Sequence, residues 1–258
     1  MARPWALLQL SDLHIGARWD ERCDPVSDLR AAVDSALALL GRPDAVLVSG
    51  DIANGDDWGP EYALASQLLA PLGAPLYLIP GNHDDRGLMR RHWTLPGSGD
   101  EPIQHGADLG PLRLVAADSV APGHPGGELD AARLSWLDAT LGTSPDRPTI
   151  LALHHPPARS GVPAWDAIGQ AGHGLGGLAE VVARHPQVHL ITAGHIHRAM
   201  TTTFAGRPLL TIPSTCRQIG LDFEASELAI VDEPPMYAVH TVVDGRVVSH
   251  LQPVRAGQ

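Results

Sequence analysis

Short apolar runs alternate along this chain with segments of helical periodicity, and this alternation restricts the possible folds more than any other feature. Six apolar runs flanked by turn residues are typical of buried strands, at residues 5–10, 45–48, 75–79, 112–116, 149–153 and 188–192. Four segments between such runs have the apolar spacing of amphipathic helices, at residues 27–40, 60–70, 130–141 and 175–184. Alternation of strands and helices favours an α/β core.

The last quarter of the chain has a different pattern. Four stretches resemble consecutive strands, at residues 209–212, 228–231, 237–243 and 246–252. Asp244 and Gly245, between the last two, form a dipeptide that tight hairpins prefer. Strands within 209–252 are therefore expected to complete a second, more antiparallel sheet. We predict one domain over residues 1–258, built as a four-layer α/β/β/α sandwich of two mixed sheets. Stretches rich in Gly and Pro are expected to be long loops, at residues 97–110, 122–127 and 156–174.

The basic residues exclude several kinds of chemistry, because all 18 of them are arginine. A Walker-type nucleotide site and a Schiff-base or pyridoxal mechanism each need a lysine, so neither is available to this chain. Against these arginines stand 29 acidic residues, which gives a formal net charge of −11. Binding to a nucleic-acid polymer or an anionic membrane rests on summed basic charge, so neither is expected as a principal partner.

The cysteines and the apolar runs indicate the cellular compartment in which this chain is expected. Cys23 and Cys216 are far apart and lack zinc-binding spacing, which favours a reducing compartment over a disulfide framework. The apolar stretch at residues 5–10 is too short for a secretion signal, and no run approaches the roughly 18 apolar residues of a membrane span. A cytoplasmic protein is expected.

Five of the predicted strands end in clusters of polar residues. These clusters are Asp12-Leu-His14, Gly50-Asp51, Gly81-Asn82-His83-Asp84, His154-His155 and Gly194-His195-Ile-His197. Functional groups in α/β sheets gather at the carboxyl ends of parallel strands, so the clusters can converge on one site. Their carboxylates, imidazoles and amide are ligands of metals such as Zn, Mn and Fe.

Spacing within the clusters supports a metal site. Asp12 and His14 are two residues apart, as are His195 and His197, and extended backbone places residues i and i+2 on one face. A glycine precedes three of the candidate ligands and would permit a sharp departure from the strand. Seven candidates result: Asp12, His14, Asp51, Asn82, His154, His195 and His197. This number exceeds the needs of one tetrahedral ion and suits two ions that share a carboxylate.

The ordered motifs D-x-H, G-D, G-N-H-D, H-H-P-P and G-H-x-H resemble those of the calcineurin-like metallophosphoesterases, over roughly residues 5–215. Within that superfamily they are similar to the bacterial class III cyclic-nucleotide phosphodiesterases and glycerophosphodiesterases. The segment LYLIPGNHDD, residues 76–85, is especially similar to the glycerophosphodiesterase members. The resemblance implies a binuclear phosphodiesterase whose two ions are Fe, Mn, Zn or Co.

Carried over motif by motif, the resemblance implies roles for individual residues. One ion would take Asp12, His14, Asp51 and His197, and the other Asp51, Asn82, His154 and His195. Asp51 would bridge the ions and, with His83, serve catalysis. A water activated by two ions about 3.5–4 Å apart would supply a hydroxide nucleophile. His83 would neutralise phosphoryl charge or protonate the leaving alkoxide. Candidate substrate contacts are Asn82, His83, Arg86, His173 and Arg198.

The implied substrate is a small phosphodiester, either a glycerophosphodiester or a 3′,5′-cyclic nucleotide, attracted by the metals rather than by surface charge. The alternatives are a phosphomonoesterase of the same superfamily and a non-catalytic interaction module, and the complete ligand set argues against the module.

Related members form dimers or larger oligomers, so a homo-oligomer is expected. His155 has no ligand role in the family pattern and is assigned to support of the site, whereas His240 is interpreted as a surface or packing residue.

Overall fold

The computed structural model describes residues 3–19, 23–54, 58–169 and 175–254. These residues form thirteen strands: β1 (Ala6–Leu10), β2 (Ala45–Val48), β3 (Leu76–Leu78), β4 (His105–Leu109), β5 (Leu112–Ala116), β6 (Thr149–Ala152), β7 (Val188–Ala193), β8 (Met200–Phe204), β9 (Arg207–Thr211), β10 (Gln218–Ile219), β11 (Ile230–Val231), β12 (Met236–Val243) and β13 (Arg246–Pro253). They also form six α-helices: α1 (Pro25–Leu40), α2 (Trp58–Leu69), α3 (Arg86–His92), α4 (Ala131–Gly142), α5 (Pro163–Ile168) and α6 (Leu175–Arg184).

Three helices begin at an aspartate that caps the first turn. The side chains of Asp24, Asp85 and Asp130 accept hydrogen bonds of 3.1, 2.7 and 2.8 Å from backbone N–H groups three residues further along. Such caps satisfy donors that have no partner inside the helix. Helices α1, α3 and α4 therefore start where short polar side chains occur in the sequence.

Most strands belong to two mixed sheets. In the first, the order is β13-β12-β1-β2-β3, and β1, β2 and β3 are parallel. In the second, the order is β4-β5-β6-β7-β9-β8, with parallel pairing from β5 to β9 and antiparallel edges. Strands β10 and β11 form a separate ribbon.

Alternating side chains of the strands build three apolar layers. Leu8 of β1 packs in a cluster with Leu29 of α1, on the helix-covered face of the first sheet. Leu7 points the opposite way and lies with Leu114 of the second sheet, between the two sheets. On the far side, Leu151 of the second sheet packs with residues of α4 and α6. This α/β/β/α order of layers confirms the predicted sandwich.

The expected position of the C-terminal strands is wrong in part. Of the predicted 209–252 segment, only β9 enters the second sheet, whereas β12 pairs antiparallel with β1 and adds the β12–β13 hairpin to the first sheet. A hairpin can close the open edge of either sheet, and its alternating pattern does not specify which edge it joins. Two predicted loops also contain short elements, β4 within 97–110 and α5 within 156–174. In the described part of the chain, no helix is long and apolar enough to cross a bilayer.

Candidate metal centre

The five polar clusters converge at one edge of the sandwich. They follow β1, β2 and β3 of the first sheet and β6 and β7 of the second. The Nε2 atoms of His14 and His197 lie 2.9 Å apart although 183 residues separate them in the chain. Nε2 of His154 lies 3.3 Å from Oδ2 of Asp51 and 3.3 Å from Oδ1 of Asn82. Each sheet therefore supplies part of the same cluster.

The backbone reaches this arrangement through left-handed conformations rather than extended ones. Among the described non-glycine residues, seven have positive φ, and five of these are candidate ligands: Asp12 (54°), His14 (47°), Asp51 (51°), His195 (71°) and His197 (49°). Extended backbone was expected to place the two ligands of each pair on one face. That reason is wrong, because the paired residues have left-handed conformations. Backbone strain of this kind costs about 1–3 kcal/mol per residue and concentrates at functional sites.

Glycines at the strand ends allow close packing of the loops. Gly50 has φ of 101°, and a Cβ atom there would collide with the ring of His154. A Cβ at Gly81 would collide with the carboxylate of Asp51, although φ of Gly81 is not positive. The predicted need for glycine is thus conformational at Gly50 and steric at Gly81.

Each imidazole of the cluster has one nitrogen held by an oxygen acceptor. The pairs are His14 Nδ1 with Asn54 Oδ1 (3.0 Å), His154 Nδ1 with Ser49 O (2.8 Å), His195 Nε2 with Ile168 O (2.7 Å) and His197 Nδ1 with Arg217 O (2.7 Å). An acceptor beside the held nitrogen favours a proton there, so the other nitrogen is the one available to a cation once any second proton is displaced. Histidine ligands of metals are oriented in this way.

The geometry fits a cation between the two sheets. With both Nδ1 atoms donating, His14 and His197 direct two lone pairs at each other across 2.9 Å. The contact is repulsive unless a positive charge lies beside it. Oδ1 of Asp12 is 3.5 Å from His197 Nε2, and Oδ2 of Asp51 is 3.6 Å from His14 Nε2. Both carboxylates are buried, and buried charges are normally paired or bound to metals. Sets of Asp and His atoms close enough to hold an ion include Asp12/His14/His197 and Asp12/Asp51/His154.

The electrostatics of the cluster reflect burial and the two carboxylates. Burial lowers the pKa of His14 well below its usual value and that of His195 to about 3, so both rings are neutral. Burial opposes protonation of His154 as well, but the neighbouring Asp51 carboxylate outweighs it and raises the pKa to about 9. Burial would raise the pKa of Asp51, yet His154 and His14 hold it well below its usual range. Metal binding to such a site displaces protons.

A buried carboxylate below the cluster holds the loops of the first sheet. Asp84 accepts hydrogen bonds from the backbone N–H groups of Ile52, Ala53 and Gly81 and from the hydroxyl of Tyr62, at 2.9–3.3 Å. It therefore joins the loop after β2 to the loop after β3. The next residue, Asp85, caps helix α3.

His83 lies at the exposed mouth of the cluster. Its backbone N–H donates to Oδ1 of Asp51 at 2.9 Å, and its ring centroid is 5.1 Å from that of His14. His155 is buried, and both of its ring nitrogens are engaged, by the Ser119 hydroxyl and by the carbonyl of Pro125. The structure therefore leaves the ring of His83 accessible to substrate and commits that of His155 to support.

Two predicted substrate contacts pair with residues outside the cluster. Arg86 makes a bidentate pair with Asp118, at 2.7 and 2.8 Å. Arg198 bonds to the carbonyl of Ile219 and to Glu233. His173 lies outside the described residues. The first two guanidinium groups are thus engaged by protein partners.

An apolar wall borders the candidate ligands in a cavity of about 210 Å³. Its apolar lining consists of Trp19, Pro125, Ile168, Ile219, Leu228 and Ile230. The ring centroid of Trp19 is 4.7 Å from that of His14 and 5.7 Å from that of His197. Sequence reasoning missed Trp19, and its position five residues after His14 is the only signal that could have indicated it.

A two-sheet sandwich with helices outside and an Asp/His/Asn cluster at the strand ends defines a metallophosphoesterase. The chain belongs to the calcineurin-like phosphoesterase family, whose sequence model matches residues 6–199.

Relatives with assigned activities agree with this family. The chain is 36% identical over 217 residues to glycerophosphodiester phosphodiesterase GpdQ of Enterobacter lignolyticus (strain SCF1), covering 82% of this chain and 77% of that protein. It is 31% identical over 218 residues to 3′,5′-cyclic adenosine monophosphate phosphodiesterase CpdA of Escherichia coli (strain K12), covering 82% and 76%. Among solved structures, a dimetal phosphatase from Danio rerio has the same fold, with a TM-score of 0.74, 17% identity and 98% coverage of both chains.

Proposed function

We propose that this protein is a binuclear metal-dependent phosphodiesterase that hydrolyses small phosphodiesters, either glycerophosphodiesters or 3′,5′-cyclic nucleotides. The observation that carries the proposal is the 2.9 Å approach of the Nε2 atoms of His14 and His197, set beside two buried carboxylates. The names of the GpdQ and CpdA relatives support the diester class and leave both substrates open.

The proposed ligand sets are those implied by the family motifs, and the contacts of Asp51 support its place in both. One ion would be held by Asp12, His14, Asp51 and His197, and the second by Asp51, Asn82, His154 and His195. Asp51 suits the bridging role because its Oδ2 faces imidazoles from both sheets, those of His14 and His154. Imidazole and carboxylate ligands without thiolate are compatible with Fe, Mn, Zn or Co.

When bound, two such ions would acidify a water and polarise phosphate oxygens. The protein groups around them have separate tasks. Asp51 orients His83 by accepting its backbone N–H. The exposed ring of His83 is available to donate a proton to the leaving alkoxide or to a phosphoryl oxygen, a role worth about 10²–10⁴-fold in rate. The apolar wall limits water on one side of the substrate.

The size and charge of the site fit a small anion. A cavity of about 210 Å³ accommodates a small diester, and the net charge of −11 opposes binding of a nucleic-acid polymer. A cytoplasmic location and a homo-oligomeric state stay predictions.

Hydrolysis of bis-p-nitrophenyl phosphate by protein reconstituted with Mn²⁺, Fe²⁺, Zn²⁺ or Co²⁺ tests the proposal. Cyclic AMP, a glycerophosphodiester and p-nitrophenyl phosphate then separate the two diester substrates from a monoesterase. We expect diester hydrolysis that a chelator abolishes and that the Asp51→Asn variant lacks. Absence of hydrolysis with every metal would favour the non-catalytic interaction module.

A further inference from the structure

A connected group of polar side chains, all buried except the half-buried Ser249, lies between the two sheets, within their largely apolar interface. This inter-sheet network consists of Gln9 (β1), Ser49 (after β2), Thr192 (β7), His240 (β12) and Ser249 (β13). Gln9 is its centre. Its Oε1 accepts from the Thr192 hydroxyl at 2.9 Å and from His240 Nε2 at 2.8 Å, and its Nε2 donates to the Ser49 hydroxyl at 2.9 Å.

The hydrogen bonds of the network have one consistent direction. Burial lowers the pKa of His240 to about 4, so the ring is neutral at physiological pH. Its Nε2 donates to Gln9, and its Nδ1 accepts from the Ser249 hydroxyl at 2.7 Å. Gln9 is therefore held by one donor from each sheet. Fully satisfied buried networks of this kind fix a unique arrangement, whereas apolar contacts are not directional.

The network lies directly below the candidate metal centre. Ser49, whose hydroxyl accepts from Gln9, uses its backbone carbonyl to accept from His154 Nδ1 at 2.8 Å. Gln9 precedes Asp12 by three residues on the same strand end, and Thr192 precedes His195 by three residues. The central hydrogen bonds thus connect the strand ends that carry ligands of the first sheet to those of the second.

We propose that Gln9 is a positioning residue that holds the two sheets in register, so that the ligands from each sheet meet at the correct separation. The inference rests on the proposed function of the cluster as a metal centre. Without the bonds through Gln9, Thr192 of the second sheet would lose its partner in the first sheet. The apolar interface and the bond between His154 and Ser49 would then have to hold the sheets together at this point. Small shifts of one sheet would then change the distances between the first-sheet carboxylates and the second-sheet imidazoles.

Two substitutions test the role of Gln9 with readouts beyond activity. Gln9→Met keeps a similar volume and removes all three of its side-chain bonds. Thr192→Val is close in shape and removes only the bond to the second sheet, so it remains informative if Gln9→Met does not fold. Mn²⁺ affinity is measured by calorimetry, and the spin coupling of the dimanganese form by electron paramagnetic resonance. We expect Mn²⁺ to bind about 10–100-fold more weakly to Gln9→Met, as for other groups that support metal ligands.

Two Thr192 variants test the bond to the second sheet separately from the other bonds of Gln9. Thr192→Val should weaken Mn²⁺ binding less than Gln9→Met and alter the spin coupling in the same direction. Thr192→Ser, which keeps the hydroxyl, should restore both. A residue that only stabilised the fold would lower the unfolding temperature without changing the coupling between the ions.

Tyr237→Phe provides the matched control. Tyr237 lies on β12 in the cluster on the helix side of the first sheet, and its hydroxyl bonds to Ser35 at 3.1 Å. Its loss should lower stability and leave Mn²⁺ affinity unchanged. The inference is overturned if Gln9→Met and Thr192→Val bind Mn²⁺ with wild-type affinity and spectrum. If the wild-type protein itself binds no Mn²⁺ and hydrolyses no diester, the proposed function fails and this inference fails with it.

Discussion

The two halves of the candidate centre differ in both chemistry and support. The first sheet supplies the carboxylates Asp12 and Asp51, and Asp84 holds the loops after β2 and β3 by accepting their backbone N–H groups. The second sheet supplies only imidazoles, those of His154 and His195 being held by main-chain carbonyls. Negative charge thus enters from one sheet, and the other sheet contributes imidazoles without a carboxylate.

This difference indicates that neither half suffices alone. The carboxylate of Asp12 accepts the backbone N–H of His195 at 3.1 Å, so an anion of the first sheet also orders a loop of the second. Asp51 approaches imidazoles of both halves. The centre therefore joins the two sheets, and we call the contacts between its first-sheet and second-sheet residues the joint. Substitutions that remove one of these contacts should have larger effects than substitutions that do not.

Asp51→Asn should have the largest effect because it removes the charge that both halves share. We expect diester hydrolysis to fall by at least about 10³-fold, the upper range for loss of one preorganised electrostatic group. Metal content, measured by mass spectrometry, should fall below two ions per chain. Asp138→Asn, which alters an exposed ion pair with Arg184, is the control and should change neither quantity. Full metal content with full activity would remove Asp51 from the bridging role.

The types of ligand were predictable from sequence, whereas the way they are held was not. Asp12, Asp51 and His154 could be identified because polar residues abruptly follow apolar strands. The left-handed backbone at Asp12 and Asp51 could not, because non-glycine residues seldom adopt it without tertiary constraint. His240 resembled an ordinary packing residue, since a pattern of alternation does not show which buried polar groups will find partners.

The sequence pattern also could not predict which sheet each strand joins. The layers of the sandwich followed from the periodicity of the strands and helices. The β12–β13 hairpin was assigned to the wrong sheet. It joins the first sheet through backbone hydrogen bonds between β12 and β1, and every residue type can form such bonds, so the side-chain pattern does not indicate the partner strand. The bond from His240 to Gln9, whose side chain also accepts from Thr192 of the second sheet, depends on that placement.

His83→Ala tests a residue whose backbone N–H bonds to Asp51 and whose exposed ring lies beside His14. Turnover should fall about 10²–10⁴-fold because a proton donor is lost, while metal content stays at that of the wild type. If His83 protonates the leaving group, the loss should be greater for cyclic AMP, which releases an alkoxide, than for bis-p-nitrophenyl phosphate. Equal losses would indicate a role on the phosphoryl oxygens, and unchanged turnover would contradict both roles. His250→Ala, at an exposed position on β13, is the matched control.

The pH dependence of stability should distinguish the buried His240 from the ligand histidines. Its folded-state pKa of about 4 is below the unfolded value of 6.5, so its contribution is present above pH 6.5 and is lost as pH falls toward 4. Relative to His240→Gln, the metal-free wild type should lose about 3 kcal/mol of unfolding free energy over that range. Denaturant unfolding at several pH values measures the difference in unfolding free energy between the two proteins. The contributions of the other histidines are common to both proteins and cancel. Parallel pH curves for the two proteins would contradict the assignment.

Tyr62→Phe should have the smallest effect, because it weakens the support of one half without crossing the joint. The Tyr62 hydroxyl donates to Asp84 at 3.0 Å and accepts from the backbone N–H of Asp85 at 2.9 Å. Asp84 keeps its three backbone donors in the variant, so the loops of the first sheet should stay in place. We expect a loss of about 1 kcal/mol in unfolding free energy and less than a tenfold change in turnover. Loss of a metal ion from this variant would show that the carboxylate half depends on a single hydroxyl, and that the two halves are less equally supported than their hydrogen bonds indicate.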